Sequence, residues 1–426
     1  MTRYSGIWIT DGLSDCMAAT RYAQRRQWLK SNLTHPVLLV SPLSGPDGGH
    51  SWAHVHRFIF QDPYLLYLTG INQLPMALWL DPSAETDIIL LPPKSDQTIF
   101  WEGMRWGAGD IELETITGLH SLPARSFHRL IQSHPVIGTT NSTLTMGWPM
   151  IKRLRRQQKL VSIDDVMWTQ RLCLDEVDQH NLAVAVQKSN WAFRSVLQNW
   201  GAYHSEQDVH AALLGAIYHE SPYGPSFPCI VGAGSNAATL HYVKNDDPFP
   251  PPNPLHQHGM VLMDFGVRWH AMHADITRVV PISGQFSTLQ SELVSLVCET
   301  AQRCGAMIQP GVLLDDINQA AWTWLNEGIQ SMGISFIRPY SNHPHQIGHL
   351  LGHQVHDGDA KRSYRNRPLQ AGMALTIEPG LYGMVSELGE IGIRWEDNYV
   401  VTPNGCCCLS SMLPQRPSEI EASIRQ

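Results

Sequence analysis

The 426-residue sequence predicts two domains, an α/β domain with a mixed sheet over 1–172 and an α+β domain over 173–426. Three observations predict this. A chain of this length exceeds one ordinary hydrophobic core. Its first part alternates short apolar runs with helical segments, which is how a sheet layered with helices reads. Its second part sets long helical segments between strands with antiparallel signatures, the pattern of α+β.

The first domain opens on a helix over 20–32, followed by a buried strand at Val37 to Val40 and a loop over 45–49. Apolar runs at 58–60, 76–80, 88–91 and 98–101 read as further strands, each bounded by turn residues. Between them 62–68 reads as a short helix, with Pro63 at its first turn. The pattern continues through 112–130 to a strand at 135–138, and no glycine-rich phosphate loop is present. A linker over 163–174 leads into a long helix over 175–198, on which Leu182, Val186, Phe193 and Leu197 share one face. A second helix covers 206–218, and strands are expected at 229–231 and 239–242. A β-hairpin is expected from 259–266 and 272–282, then helices over 289–308 and 315–331, and a strand-rich end over 372–402.

Composition narrows the function classes. With 43% hydrophobic and 16% charged residues the chain reads as a soluble globular protein. A net charge of −8 argues against nucleic-acid binding, which needs a basic face. The one basic run, Lys152 to Arg156, reads as a solvated helix face. Eight cysteines lie at irregular spacing with no CxxC pair, which suggests reduced thiols and a cytoplasmic location. No signal peptide is evident in 1–16, and no apolar run is long enough to span a bilayer.

The chemistry concentrates in the second domain. The string HQIGHLLGHQVHD at 345–357 carries four histidines, at 345, 349, 353 and 356. Upstream lie Asp264 and Asp275; downstream lie Glu378 and Glu396, each carboxylate near apolar neighbours. Asp264 and Asp275 can occupy adjacent antiparallel strands and point to one face. Carboxylates sharing a buried face repel and are costly to desolvate, and a cation removes that cost. One imidazole with four carboxylates is an oxygen-rich donor set that suits Mn²⁺ best, with Co²⁺, Fe²⁺ or Zn²⁺ as alternatives. Four carboxylates suit two bridged cations, a pair that activates water and polarises a carbonyl for hydrolysis.

These motifs resemble those of the pita-bread metallopeptidases, which include methionine aminopeptidase, aminopeptidase P, prolidase and the metal-free relative creatinase. The resemblance covers about 229–402. It implies a creatinase/aminopeptidase-like fold in which Asp264, Asp275, His349, Glu378 and Glu396 are the metal ligands. Asp264 would serve one metal, His349 and Glu378 the other, with Asp275 and Glu396 bridging and Glu378 also acting as general base. His241, His345 and His356 match pocket histidines of the proline-specific branch, and Arg394 matches an arginine that holds a bridging carboxylate. The segment from Phe60 to Gly70, with its YLTG, and that from Trp101 to Gly107 resemble the N-terminal domain of aminopeptidase P and prolidase. The activity implied is hydrolysis of the Xaa-Pro bond in peptides or dipeptides. The partners implied are proline-containing peptides and a second or further copies of the chain, as a homodimer or homotetramer.

Met272, Gln346, His353 and Trp395 depart from the family pattern, and His353 has no evident role. His54, His56, His256, His258, His270 and His273 read as surface or core residues, as do most tryptophans; Trp101 and Trp106 could line the cleft. Two other readings compete with the peptidase: a metal-free homologue acting as a binding module, and a creatinase-like hydrolase of non-peptide substrates.

Overall fold

The computed structural model describes residues 14–41, 61–145, 148–251, 259–337, 343–359 and 363–424. Two compact units divide the chain, Met1–Arg171 and Leu172–Gln426.

The first unit is a six-stranded mixed sheet with helices on both faces. Its strands are β1 (Val37–Val40), β2 (Ala77–Leu80), β3 (Asp87–Leu91), β4 (Leu119–Pro123), β5 (Ile137–Thr139) and β6 (Leu160–Ser162). The spatial order is β4-β3-β2-β1-β5-β6. The β1–β2 and β2–β3 pairs are antiparallel, and the outer pairs are parallel. Strand alternation sorts the side chains. Val37, Leu39, Leu78 and Leu80 enter one core with Leu29, Leu65, Leu113 and Met167. Leu38, Val40 and Trp79 enter the other with Phe127, Ile131, Ile151 and Leu154.

The helices of this unit are α1 (Asp15–Ser31), α2 (Pro63–Thr69), α3 (Asp96–Glu102), α4 (Ile111–Thr117), α5 (Phe127–Gln132), α6 (Asn141–Thr145), α7 (Pro149–Arg156) and α8 (Asp164–Arg171). Pro63 opens α2, and the Asp62 side chain caps it by accepting from the amides of Tyr64 and Leu65, both at 3.0 Å. Arg26 of α1 is buried and joins three elements. It donates to Asp87 of β3 at 2.7 Å and to the C-terminal carbonyls of Leu68 and Thr117 at 3.0 and 3.1 Å.

Two expectations are corrected here. The run at 98–101 is not a strand but lies in α3, with Phe100 and Trp101 83% and 70% exposed. Asp96 in the first turn favours the helix, and an apolar run without burial has no sheet to join. The expected linker at 163–174 is mostly α8, whose Met167 and Trp168 are buried. Trp106 is buried in the first unit's core. The strand at 58–60, the loop at 45–49 and His54, His56, His256 and His258 lie outside the described residues.

The second unit sets four long helices beside three short sheets. The helices are α9 (Glu176–Gln198), α10 (Glu206–Glu220), α11 (Thr288–Met307) and α12 (Leu314–Met332). Asp175 caps α9, Ser205 caps α10, and Ser287 with Gln290 forms a capping box on α11. The strands are β7 (Ile230–Ala233), β8 (Met260–Phe265), β9 (Arg268–Trp269), β10 (Met272–His273), β11 (Ile276–Pro281), β12 (Phe336–Ile337), β13 (Ala374–Ile377), β14 (Gly380–Val385), β15 (Gly389–Arg394), β16 (Asp397–Thr402) and β17 (Gly405–Cys408). They form sheets β11-β8-β7, β12-β14-β15 and β13-β16-β17, with β9 and β10 a separate ribbon. A short terminal helix, α13, covers Pro417–Ile424. Phe193 of α9 stacks on Phe265 of β8 at 5.5 Å, fixing the longest helix against the first sheet. Backbone bridges Thr277↔Glu396 and Leu350↔Leu375 tie strand-flanking segments together where the three sheets meet.

The segment 239–242 is not a strand. A 3₁₀ turn over Gly234–Ala238 precedes it, and the chain then turns outward. Small residues at 232–238 allow that turn, and pairing along β7 ends at Ala233.

Candidate metal centre

Each sheet delivers part of one cluster. Asp264 sits near the end of β8, opposite Thr277 of β11 and Ile230 of β7. Asp275 stands just before β11, two residues from Thr277 and therefore on the same side as Asp264. The two aspartates are diagonal neighbours on one face, as the hairpin reading expects. Asn398 secures Asp275, accepting from its amide at 3.1 Å and donating to its carbonyl. Glu378 follows β13 and Glu396 lies between β15 and β16. Thr277 donates to Glu396 Oε2 at 2.7 Å.

His349 comes from an irregular segment running beside β13. Its amide donates to Thr376 Oγ1 at 3.2 Å, and its carbonyl accepts from the Thr376 amide at 2.9 Å. Gly348 makes this approach feasible, since a Cβ there would come 2.1 Å from the Thr376 carbonyl oxygen. His349 Nδ1 lies 3.0 Å from the Leu350 carbonyl, which leaves Nε2 facing the carboxylates. That nitrogen is 3.4 Å from Asp275 Oδ2 and 3.5 Å from Glu378 Oε1.

Three overlapping groups have ligand atoms within 4.8 Å of one another: Asp264, Asp275 and Glu396; His349, Glu378 and Glu396; and Asp275, His349 and His356. A single cleft is lined by all five expected ligands and by His241, His345, His356, Arg394 and Leu240. The five expected ligands, the three pocket histidines and Arg394 are therefore together, whereas Trp101 and Trp106 do not line this cleft. The His356 ring meets His349 edge-on, with centroids 4.3 Å apart.

The electrostatics are those of a carboxylate cluster kept from water. Burial pushes Glu378 up to about 7, with Asp275 and Asp264 adding repulsion against the relief from His349 and Arg394. Burial raises Asp275 and Glu396 well above the ordinary carboxylate range, again with neighbouring acids adding to it. Arg394 answers part of this charge. It donates to Asp264 Oδ2 at 2.7 Å, to Thr277 Oγ1 at 3.1 Å and to the Tyr382 hydroxyl at 3.1 Å. Asp264 Oδ1 is buried and takes no hydrogen bond among the described residues. A buried lone-pair donor without a partner, next to carboxylates held near neutrality, fits divalent cations. The donor set of one imidazole and four carboxylates can hold two of them.

Sequence reasoning missed several supporting residues. Tyr382 links Arg394 to His345, whose Nε2 is 3.0 Å from its hydroxyl. Its signal is visible only with the strand register known. Gly392 opposes Tyr382 and Arg394 opposes Gly380, so Tyr382 and Arg394 share a face. Burial lowers His345 to about 4 and raises Tyr382 to about 12. His353, unassigned from sequence, is buried and its Nε2 is 3.1 Å from Asp178 Oδ2 of α9. His273 holds the same segment through Gly352, with its amide and Nδ1 each 3.1 Å from that carbonyl. Trp395 turns away from the cleft and lies beneath the Arg278 guanidinium at 4.3 Å. Met272 is buried and Gln346 is exposed, and neither lines the cleft.

The sequence profile of metallopeptidase family M24 matches residues 180–403, more than half of the chain. The chain belongs to metallopeptidase family M24. The profile of the aminopeptidase P N-terminal domain matches residues 22–131 of this M24 protein. The Xaa-Pro aminopeptidase of Haemophilus influenzae is 27% identical over 401 residues, covering 85% of this chain and 87% of that protein. Human Xaa-Pro aminopeptidase 3 is 27% identical over 410 residues, covering 86% of this chain and 77% of the human protein. The structure of aminopeptidase P from E. coli with the inhibitor Pro-Leu superposes with a TM-score of 0.82 at 21% identity, covering 96% of this chain and 98% of that one. This likeness shows the fold, an N-terminal domain followed by a pita-bread domain.

Two outcomes follow for this M24 centre. Raised carboxyl pKa values favour the protonated form in the folded, metal-free chain, so its stability falls as pH rises from below about 4 through about 7. For Glu378 the loss is about 3 kcal/mol, or roughly 3–6 °C in Tm between pH 5 and pH 8. Calorimetry of chelator-treated protein measures this; added Mn²⁺ should abolish the fall, and a flat or rising Tm without metal contradicts it. Separately, His353→Leu should cost about 1–3 kcal/mol, because Asp178 loses a buried donor, whereas His353→Gln keeps a donor and should cost less. Denaturant midpoints compare the two.

Proposed function

We propose that this chain is a two-metal Xaa-Pro aminopeptidase that removes the residue before proline from peptide N-termini. The observation that carries the reading is one cleft lined by the five donors together with His241, His345 and His356. Asp264, Asp275, His349, Glu378 and Glu396 would hold the metals, with Mn²⁺ favoured by the oxygen-rich donor set. Two divalent cations bound there supply Lewis acidity toward a water and the scissile carbonyl.

The chain's own residues do the rest. Glu378, pushed up to about 7 in the metal-free chain, can take a proton from the attacking water. His241 and His356 lie on the cleft wall and can donate hydrogen bonds to the peptide carbonyls, where charge builds as the bond breaks. His345, kept neutral by burial and packed edge-on against Trp322 at 5.9 Å, offers a largely apolar ring face suited to a proline ring. Arg394 keeps Asp264 in place and neutralises part of the cluster.

The curated relatives named Xaa-Pro aminopeptidase favour the aminopeptidase over a dipeptide-restricted prolidase. A cytoplasmic homodimer or homotetramer is part of the same reading. Among the described residues no helix is long and apolar enough to cross a membrane. Sedimentation velocity reads the assembly, with a monomer at micromolar concentration counting against it.

The central test uses the Mn²⁺-reconstituted chain. Glu378→Gln should lower kcat on an Xaa-Pro-Xaa tripeptide by at least about 100-fold while the protein stays folded. Wild-type turnover by that variant would remove the general base. Wild-type cleavage of Xaa-Pro dipeptides but not of tripeptides would instead assign the dipeptidase.

A further inference from the structure

His241 faces the cleft without a hold of its own. The residue is exposed, and its ring makes no hydrogen bond among the described residues. Its place is therefore set by the backbone of the loop that carries it, 233–247. That loop converges on a single side chain, Glu206, at the start of α10. Glu206 is fully buried. Its Oε1 accepts from the Ala233 amide at 2.8 Å and from Asn236 Nδ2 at 2.9 Å. Its Oε2 accepts from the Tyr242 hydroxyl at 2.7 Å and from the Asp247 amide at 3.1 Å. Its own amide donates to the Asp247 carbonyl at 2.9 Å. Both ends of the loop, and the residue next to His241, are thus bound to one carboxylate.

The surroundings reinforce the clamp. Asn236 also donates to Tyr242 and Asp247, at 3.0 and 2.9 Å. Asn245 holds the loop to β7 with its side chain, accepting from Val231 at 2.7 Å and donating to Cys229 at 2.9 Å. Its φ of +51° is a left-handed conformation that asparagine tolerates better than most residues. A carboxylate that takes four hydrogen bonds in a site kept from water holds geometry strongly, since charge-assisted bonds exceed neutral ones. None of the hydrogen bonds of Glu206 described above goes to a metal-site donor, so its action on the site runs through the loop.

We infer that Glu206 is a positioning residue for catalysis: it clamps the 233–247 loop and thereby sets His241 against the bound peptide. The inference rests on the proposed role of His241. Glu206→Gln keeps the side-chain size but presents an amide N–H to amide and hydroxyl donors, loosening one half of the clamp. In the Mn²⁺-reconstituted full chain it should lower kcat/KM for an Xaa-Pro-Xaa peptide between about tenfold and about 100-fold, as a displacement on the ångström scale does. Metal content should stay at the wild-type level. Tyr242→Phe removes one hydroxyl bond and should give a smaller loss in the same direction, with the fold retained.

The deciding measurement is the cycle with His241→Ala. If Glu206 acts through His241, the double variant Glu206→Gln/His241→Ala has the activity of His241→Ala alone. A double variant lowered by the full Glu206→Gln factor again means that Glu206 acts elsewhere and overturns this inference, leaving the peptidase reading intact. If His241→Ala itself turns over at the wild-type rate, the role given to His241 fails, and the positioning role of Glu206 falls with it.

Discussion

Four carboxylates sharing one buried face are the constraint on which this protein is built. Asp264, Asp275, Glu378 and Glu396 come from three sheets, and among the described residues the cationic group that pairs with any of them directly is Arg394. One guanidinium and one imidazole cannot answer four carboxylates where water is scarce. The raised carboxyl pKa values express that imbalance. Protons relieve it in the metal-free chain; divalent cations relieve it without giving up the carboxylates as donors. The pita-bread framework thus holds repelling groups at fixed separation until a cation joins them.

That framework works through backbone more than through side chains. Thr277 is the node. It pairs with Asp264 on β8, bridges Glu396 through its backbone, and donates its hydroxyl to Glu396 while accepting from Arg394. Arg278, buried beside it, donates to the Thr277 and Glu396 carbonyls at 2.9 and 2.7 Å and to Asp397 at 2.6 Å. Two neighbouring residues thus anchor both the side chain and the main chain of Glu396. Rigidity of this kind matters because a donor atom a fraction of an ångström out of place weakens both the metal and the chemistry.

The donors are legible in the sequence because their chemistry is scarce. Several carboxylates set among apolar residues on strand signals, with a glycine-flanked histidine between them, are costly to bury unless a cation holds them. The longest helix is legible from its periodicity, with Leu182, Val186, Phe193 and Leu197 all buried along one face. The supporting residues are not. Tyr382, Asn398 and Asp178 have ordinary sequence contexts, and their roles depend on strand register or on contacts more than 100 positions away. The loop of His241 reads as a strand because Leu240 and Tyr242 flank it as a strand would; a buried carboxylate on a separate helix decides otherwise. Phe100 and Trp101 mislead for the opposite reason, since an aromatic run implies burial that the structure does not give them.

The cleft histidines differ in how they are held, and the differences have consequences. His349 is locked by Thr376 and the Leu350 carbonyl, His345 by Tyr382 and Trp322. The segment carrying His356 is pinned through His353 to α9 and through Gly352 to His273, and burial pushes His273 down to about 3 so that it stays neutral. His241 takes its position from the backbone of its loop. A ring held that way can follow the substrate carbonyl by small rotations about its own side-chain bonds, while the clamp on its loop limits how far the whole residue can drift. Tight metal donors beside one adjustable hydrogen-bond donor is an arrangement suited to a peptidase that must accept varied residues before the proline while keeping one geometry at the reacting bond.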